Sequence, residues 1–132
     1  MPLKITLKPY EKFILGRAVI TNGDAKSVFV VENEVPILRE KDILSLEAAD
    51  TPCKKIYFAI QLMYVDNKNL PDHHKTFWEL VKDVVEAAPS TKPILHDISE
   101  NILNERYYQA LKLTKKLIGY EREIINHVRS AN

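Results

Sequence analysis

The chain is poor in the residues on which many specialised folds and chemistries depend. It has one cysteine, Cys53, in 132 residues. That excludes an internal disulfide and fits a reducing compartment. Three glycines leave no glycine-rich phosphate cradle, and there is no G-x-S-x-G elbow. The longest apolar stretch, Ile56 to Val65, is broken only by Gln61 and closed off by Lys54, Lys55 and Asp66. It is about half of the roughly 20 residues a membrane-spanning helix needs, so no membrane association is expected. Charge is close to balanced: 19 Lys and Arg against 18 Asp and Glu leave +1. Such a chain has no global attraction for nucleic acid or acidic membranes, and polyanion binding requires a local basic patch. Residues 1–20 alternate in polarity, so no secretory signal is expected and a cytoplasmic location is.

What is present is globular. Apolar residues make up 45% and charged residues 28% of the chain, and 132 residues suffice for one domain with its own core. The apolar period changes along it. "LKITLKP" alternates Leu3, Ile5 and Leu7 with Lys4, Thr6 and Lys8, the pattern of a half-buried strand. "KFIL", "AVIT" and "SVFVV" are further short strands. "VPILRE" is a last one, where Pro36 suggests an edge. The Asn22-Gly23 pair predicts a hairpin turn between the third and fourth. After Leu44 the period becomes helical.

"TPCKKIYFAIQLMYVD", residues 51–66, reads as a central helix from about Pro52 to Val65. Thr51 can cap free N–H groups, and proline suits the first helical position. Ile56, Phe58, Ile60 and Met63 are expected in the core. Aromatic and β-branched content leaves a buried strand as the alternative. "VDNKNLPD" reads as a flexible loop. "DHHKTFWELVKDVVEAA" follows as a helix, with Phe77, Leu80, Val81, Val84 and Val85 at helical spacing and Asp72 as a possible cap. Another helix begins near Pro93, and a last stretch from Arg106 has a candidate break near Gly119. The expected fold is therefore α+β. An N-terminal antiparallel sheet or partly closed barrel of about five strands is followed by a helical subdomain. Residues 1–132 form a single domain, with a β subdomain at 1–44 and a helical subdomain at 51–132.

Catalytic chemistry is hard to place. His73 and His74 are adjacent and point about 100° apart on a helix, so they do not chelate together. His96 and Asp97 are adjacent too, and His127 stands alone near the end. Neither a metal site nor a cofactor is expected. Cys53 beside Lys54 and Lys55 at a helix N-terminus would favour a thiolate, but no acid–base partner is placed for it. The chain is not expected to be an enzyme. Basic residues offer more. Lys8, Lys12, Arg17, Arg39 and Lys41 lie in the sheet half, and Lys54 and Lys55 at the start of the central helix. If several converge they could hold phosphates, while Tyr10 or Phe13 stacks on a base.

Three stretches in order, "LKITLKPYEKFILGRAVI", "SVFVVENEVPILREKDIL" and "TPCKKIYFAIQLMYVD", together with "ERYYQALKLTKKLI", closely resemble the FlbT family of flagellar biosynthesis repressors. The resemblance implies a post-transcriptional repressor of flagellin synthesis. It would associate with the 5′ untranslated region of flagellin mRNA, lower its translation or stability, and be balanced by the partner protein FlaF. A shorter likeness, through "LKPYE", a glycine and "LREKDI", is to the carbon storage regulator, a small β protein that binds mRNA leaders. It implies an RNA contact at Arg39.

Two mechanisms then compete. In the first, Lys12, Arg17, Arg39, Lys54 and Lys55 converge on one surface and bind the flagellin mRNA leader directly. In the second, the helical half is a chaperone-like module for flagellin or FlaF, with Tyr107, Tyr108 and Tyr120 as anchors, and the effect on mRNA is indirect.

Overall fold

Ile5 and Leu7 turn inward from the first strand while Lys4 and Thr6 face out, as the alternation requires. The molecule is described by a computed structural model over residues 2–131, with residues 67 and 128–131 described by their backbone alone. Five strands form two antiparallel sheets. Strand β1 (Leu3–Leu7) pairs with β4 (Ser27–Val31), from Leu3 opposite Val31 to Leu7 opposite Ser27. Strand β2 (Lys12–Leu15) lies between β3 (Ala18–Thr21) and β5 (Ile37–Arg39). Among the described residues the strands do not close into a barrel, and β5 is an edge, as Pro36 suggested. Ile5, Leu7 and Phe13 form the core of this unit, with Leu15, Ile20, Val31 and Ile37 packed on it.

Gly16 makes the tight turn between β2 and β3. Its φ is +63°, and a Cβ there would lie 3.2 Å from the Val35 side chain, so glycine is favoured on both counts. The hairpin expected at Asn22-Gly23 does not form, because β3 and β4 belong to different sheets. Asn22 is buried instead. Its amide donates to the carbonyls of Lys8 (2.8 Å) and Ala25 (3.0 Å) and accepts from Gly23 N–H and Ser27 Oγ. The asparagine that marks a paired turn in isolation here ties two loops together.

Contacts divide the chain into two compact units, Met1–Ile43 and Leu44–Asn132. The second is helical: α1 (Pro52–Val65), α2 (Leu70–Ala87), α3 (Lys92–Leu103) and α4 (Tyr107–Ala131). Helix α1 packs against α2 and α4, and α3 against α4. The start of α1 is as the sequence predicts, with Pro52 in the first turn and Thr51 Oγ1 accepting from Lys54 N–H at 3.2 Å. Ile56, Ile60 and Met63 are buried, while Phe58 is only half-buried.

Three expectations are corrected. The loop after α1 shrinks to one 3-10 turn at Asn67–Asn69, and α2 begins at Leu70 with Asn69, not Asp72, at its cap. Pro71 suits the first turn, and Asp66 accepts from Asn69 (3.1 Å) and meets His73 (3.2 Å), which closes the corner. Helix α4 runs unbroken through Gly119, where a single glycine costs only about 1 kcal/mol against alanine. No helix among the described residues is long and apolar enough to cross a membrane.

Candidate nucleic-acid interface

The loop from Lys8 to Glu11 is held by the chain around it. Asn22 binds the Lys8 carbonyl, Tyr10 N–H donates to the Gly23 carbonyl (2.9 Å), and Asn22 N–H donates to the Glu11 carbonyl (2.9 Å). These bonds fix Tyr10 in the left-handed region, φ +61°, which a bulky residue rarely adopts. Its ring stands in solvent, 66% exposed.

Arg39, at the end of β5, is anchored beside this loop. Its Nη2 donates to the Thr6 carbonyl at 2.6 Å and to the Glu11 carboxylate at 3.2 Å. Glu11 also accepts from Lys8 N–H at 2.9 Å. That backbone bond, with the Arg39 guanidinium second, holds the Glu11 carboxyl below its ordinary value. A cavity of about 490 Å³ results, lined by Lys8, Pro9, Tyr10, Glu11, Arg39, Glu40 and Lys41. It offers an aromatic face among three cations, Lys8, Arg39 and Lys41, and two carboxylates, Glu11 and Glu40, of which Glu11 is paired with Arg39 and leaves the lysines as the free cations among the described residues. That combination suits an unpaired base and its phosphates.

The other residues singled out from sequence fall as follows. Lys12 is exposed at the start of β2, one residue from Phe13, which pairs with Arg39. Arg17 lies in the turn at the opposite end of β2. Lys54 and Lys55 belong to the second unit, where Lys54 Nζ is 3.3 Å from Asp50. Phe13 is buried in the core and cannot stack on a base. Tyr10, Lys8 and Lys41 gather with Arg39, and only the backbone pairing explains why. Asn22 and Glu11, which position them, carried no sequence signal beyond turn chemistry and charge.

In the second unit Tyr107 is half-buried, and burial, then the nearby Glu105, pushes its phenol above the ordinary value. Tyr108 is partly exposed, with Lys112 Nζ 5.0 Å above its ring and the Tyr64 ring 6.4 Å away. Tyr120 is also partly exposed, and its hydroxyl bonds Ser90 Oγ at 2.8 Å. A second cavity of about 450 Å³ opens between α1, α2 and α4, walled mainly by Val84, Ala87, Ile124 and Ile125.

Cys53 lies at its edge, and the thiolate expected there is corrected. The thiol is buried and its pKa is pushed up to about 12, first by desolvation and then by the Glu121 carboxylate. Glu121 Oε2 accepts the Cys53 N–H at 3.0 Å, and Oε1 accepts from Thr51 Oγ1 at 2.5 Å, so a side chain of α4 caps α1. No group of three or more His, Cys, Asp or Glu among the described residues could hold a metal ion.

The molecule is thus an α+β protein whose small β unit carries an aromatic concavity lined by charged residues of both signs and whose helical unit carries an apolar cleft. Residues 3–125 match the family model described as flagellar protein FlbT. The chain is 48% identical over 128 residues to a probable flagellum biosynthesis repressor protein FlbT 1 of Bradyrhizobium diazoefficiens, covering 94% of this chain and 85% of that one. It is 40% identical over 126 residues to a probable FlbT repressor of Rhodopseudomonas palustris, covering 96% and 99%. It is 39% identical over 133 residues to the flagellum biosynthesis repressor protein FlbT of Caulobacter vibrioides, covering 98% and 94%. The chain belongs to the FlbT family. No solved structure matches it.

Proposed function

We propose that this protein is a regulator of flagellar synthesis that represses flagellin production after transcription, by binding the 5′ untranslated region of flagellin mRNA in the cytoplasm. The names of its relatives support the repressor role. The observation that carries the RNA step is the exposed Tyr10, held in a left-handed turn within the cavity that Lys8, Arg39 and Lys41 rim. A base on Tyr10 and phosphates on the cations would occlude the ribosome site or expose the message to decay, without catalysis by this chain.

Binding of purified protein to a flagellin leader RNA across a salt series tests this. Each phosphate contact contributes a slope of roughly −0.7 in log affinity against log salt for a single strand. Lys8→Ala with Lys41→Ala should weaken binding and flatten that slope by about 1.4. Absence of leader binding at low salt, with and without FlaF, would remove the direct mechanism.

A second reading is favoured by the apolar cleft between α1, α2 and α4. It suits an apolar segment of flagellin or FlaF, with any effect on mRNA following indirectly. Ala87→Arg, at an exposed position on its wall, should fill the cleft and abolish such binding while leaving RNA affinity unchanged.

A further inference from the structure

We propose that two copies of this chain associate through β4. The strands pair antiparallel about a two-fold axis at Phe29 and give a continuous β1-β4-β4-β1 sheet.

Strand β4 is hydrogen-bonded to β1 along one edge, and its other edge meets no described backbone group. Val28, Phe29 and Val30 remain 54%, 42% and 55% exposed. An open apolar edge of this kind is normally blunted by lysine, proline or a bulge, and Ser27–Val31 contains none of them. The strand therefore calls for a partner strand.

The sequence around it names a second copy as that partner. Reading "KSVFVVE" from Lys26 to Glu32 against itself, centred on Phe29, sets Val28 opposite Val30 and Lys26 opposite Glu32, each twice. Side chains alternate across a strand, so Val28 and Val30 share one face, and Lys26 and Glu32, one residue beyond either end of β4, join that face once pairing extends the strand by a residue at each end. The pairing makes a ladder on that face, with four valines in the middle and an ion pair at each end. Opposed β-branched residues and opposed unlike charges are both favourable cross-strand pairs. On the other face Phe29 meets its own copy, an aromatic pair. Lys26 and Glu32 are exposed, and neither takes part in an ion pair among the described residues.

Register is specified as well. Moving the axis to Val28 sets Val30 against Lys26 and Asp24 against Glu32, and moving it to Val30 sets Val28 against Glu32 and leaves Lys26 to face Glu34, three residues beyond the end of β4. The open edge of β3 has no such symmetry, since Arg17 and Asn22 flank it. An isologous interface is self-complementary by definition, and this strand meets that condition in both shape and charge.

Sedimentation velocity of the full chain across a concentration series tests the proposal. The wild type should sediment as a dimer that dissociates on dilution. Val28→Lys with Val30→Lys should be monomeric throughout, with an unchanged circular dichroism spectrum because both positions are exposed. Lys26→Glu sets like charges opposite one another at two sites and should weaken the dimer by about tenfold. Glu32→Lys should do the same, and the double exchange Lys26→Glu/Glu32→Lys should restore wild-type affinity. Failure of that restoration overturns the register. A dimer that persists in the double-lysine variant overturns the interface. A wild type that stays monomeric to its solubility limit overturns self-association, and a strand from a different protein becomes the occupant.

Discussion

The side-chain amide of Gln61 is bonded in both directions to the backbone of Leu44: Nε2 donates to the Leu44 carbonyl at 2.9 Å, and Oε1 accepts the Leu44 N–H at 2.8 Å. The one polar residue in the apolar run of α1 thus acts as a strand-like partner for the residue that opens the helical unit. This accounts for a buried amide among Ile60, Met63 and Ala59. Gln61→Leu should destabilise the protein by about 1–3 kcal/mol, because two backbone groups lose their partners. The check is a urea titration in which the midpoint falls at constant slope. A variant as stable as wild type would show that water satisfies Leu44 equally well.

Cys53 should be chemically quiet in the native state. Its pKa near 12 leaves almost no thiolate at neutral pH, and the thiolate is the reactive form. Labelling by a disulfide reagent at pH 8 should therefore track unfolding, becoming rapid only through the urea transition. Glu121→Gln removes the adjacent negative charge but not the burial, so labelling should quicken modestly. Fast labelling of the wild type in native buffer would contradict the placement of this thiol.

Local signals carried the fold well wherever one residue's own chemistry decided the outcome. Thr51 and Pro52 set the start of α1 through capping and fixed φ, and the shift from a period of two to one near 3.6 placed the sheet and the helices. Signals that depend on a distant partner were not legible. Asn22-Gly23 has the composition of a hairpin turn, yet Asn22 is used by the Lys8 loop, 14 residues away. Cys53 has the neighbours of a reactive thiol, yet packing buries it, and Glu121, 68 residues later, adds to that burial in reversing the expected direction. The cations of the β unit could be counted from sequence, but which of them surround Tyr10 depends on the pairing of Phe13 with Arg39. Phe13 itself illustrates the limit, since an aromatic suited to stacking on a base was equally suited to the core.

The Glu11–Arg39 pair gives the β unit an acid-labile tie. Glu11 has a folded pKa below its ordinary value of 4.5. A depressed carboxylate stabilises the folded state above the unfolded pKa, and that contribution fades as pH falls through the folded value. Stability should therefore drop on acidification below about 4.5, in part through Glu11. Glu11→Gln cannot titrate, so the difference between variant and wild type in thermal midpoint should hold level from pH 7 to about 5 and shrink as the pH falls below about 4.5 toward 3. A constant difference across that range would mean that the bonds from Arg39 and Lys8 do not depend on the carboxylate charge.

Tyr10 separates the candidate function from the fold. Its left-handed backbone is strained for a non-glycine residue, by about 1–3 kcal/mol in typical cases. Glycine at that position relieves the strain, at a cost of roughly 0.5–1 kcal/mol in unfolded-chain entropy. Tyr10→Gly should therefore melt at or slightly above the wild-type temperature. The same change removes the ring. Stacking of a base on an aromatic side chain is worth about 1–3 kcal/mol, so affinity for a flagellin leader should fall by roughly 5- to 150-fold. Stability and RNA affinity then move in opposite directions, which no general loosening of the β unit would produce. Phenylalanine at position 10 should retain most of the binding, since it keeps the stacking face and loses only the hydroxyl. A Tyr10→Gly variant that melts normally and binds leader RNA as tightly as wild type would remove Tyr10 from the interface, and with it the observation on which the direct RNA mechanism stands.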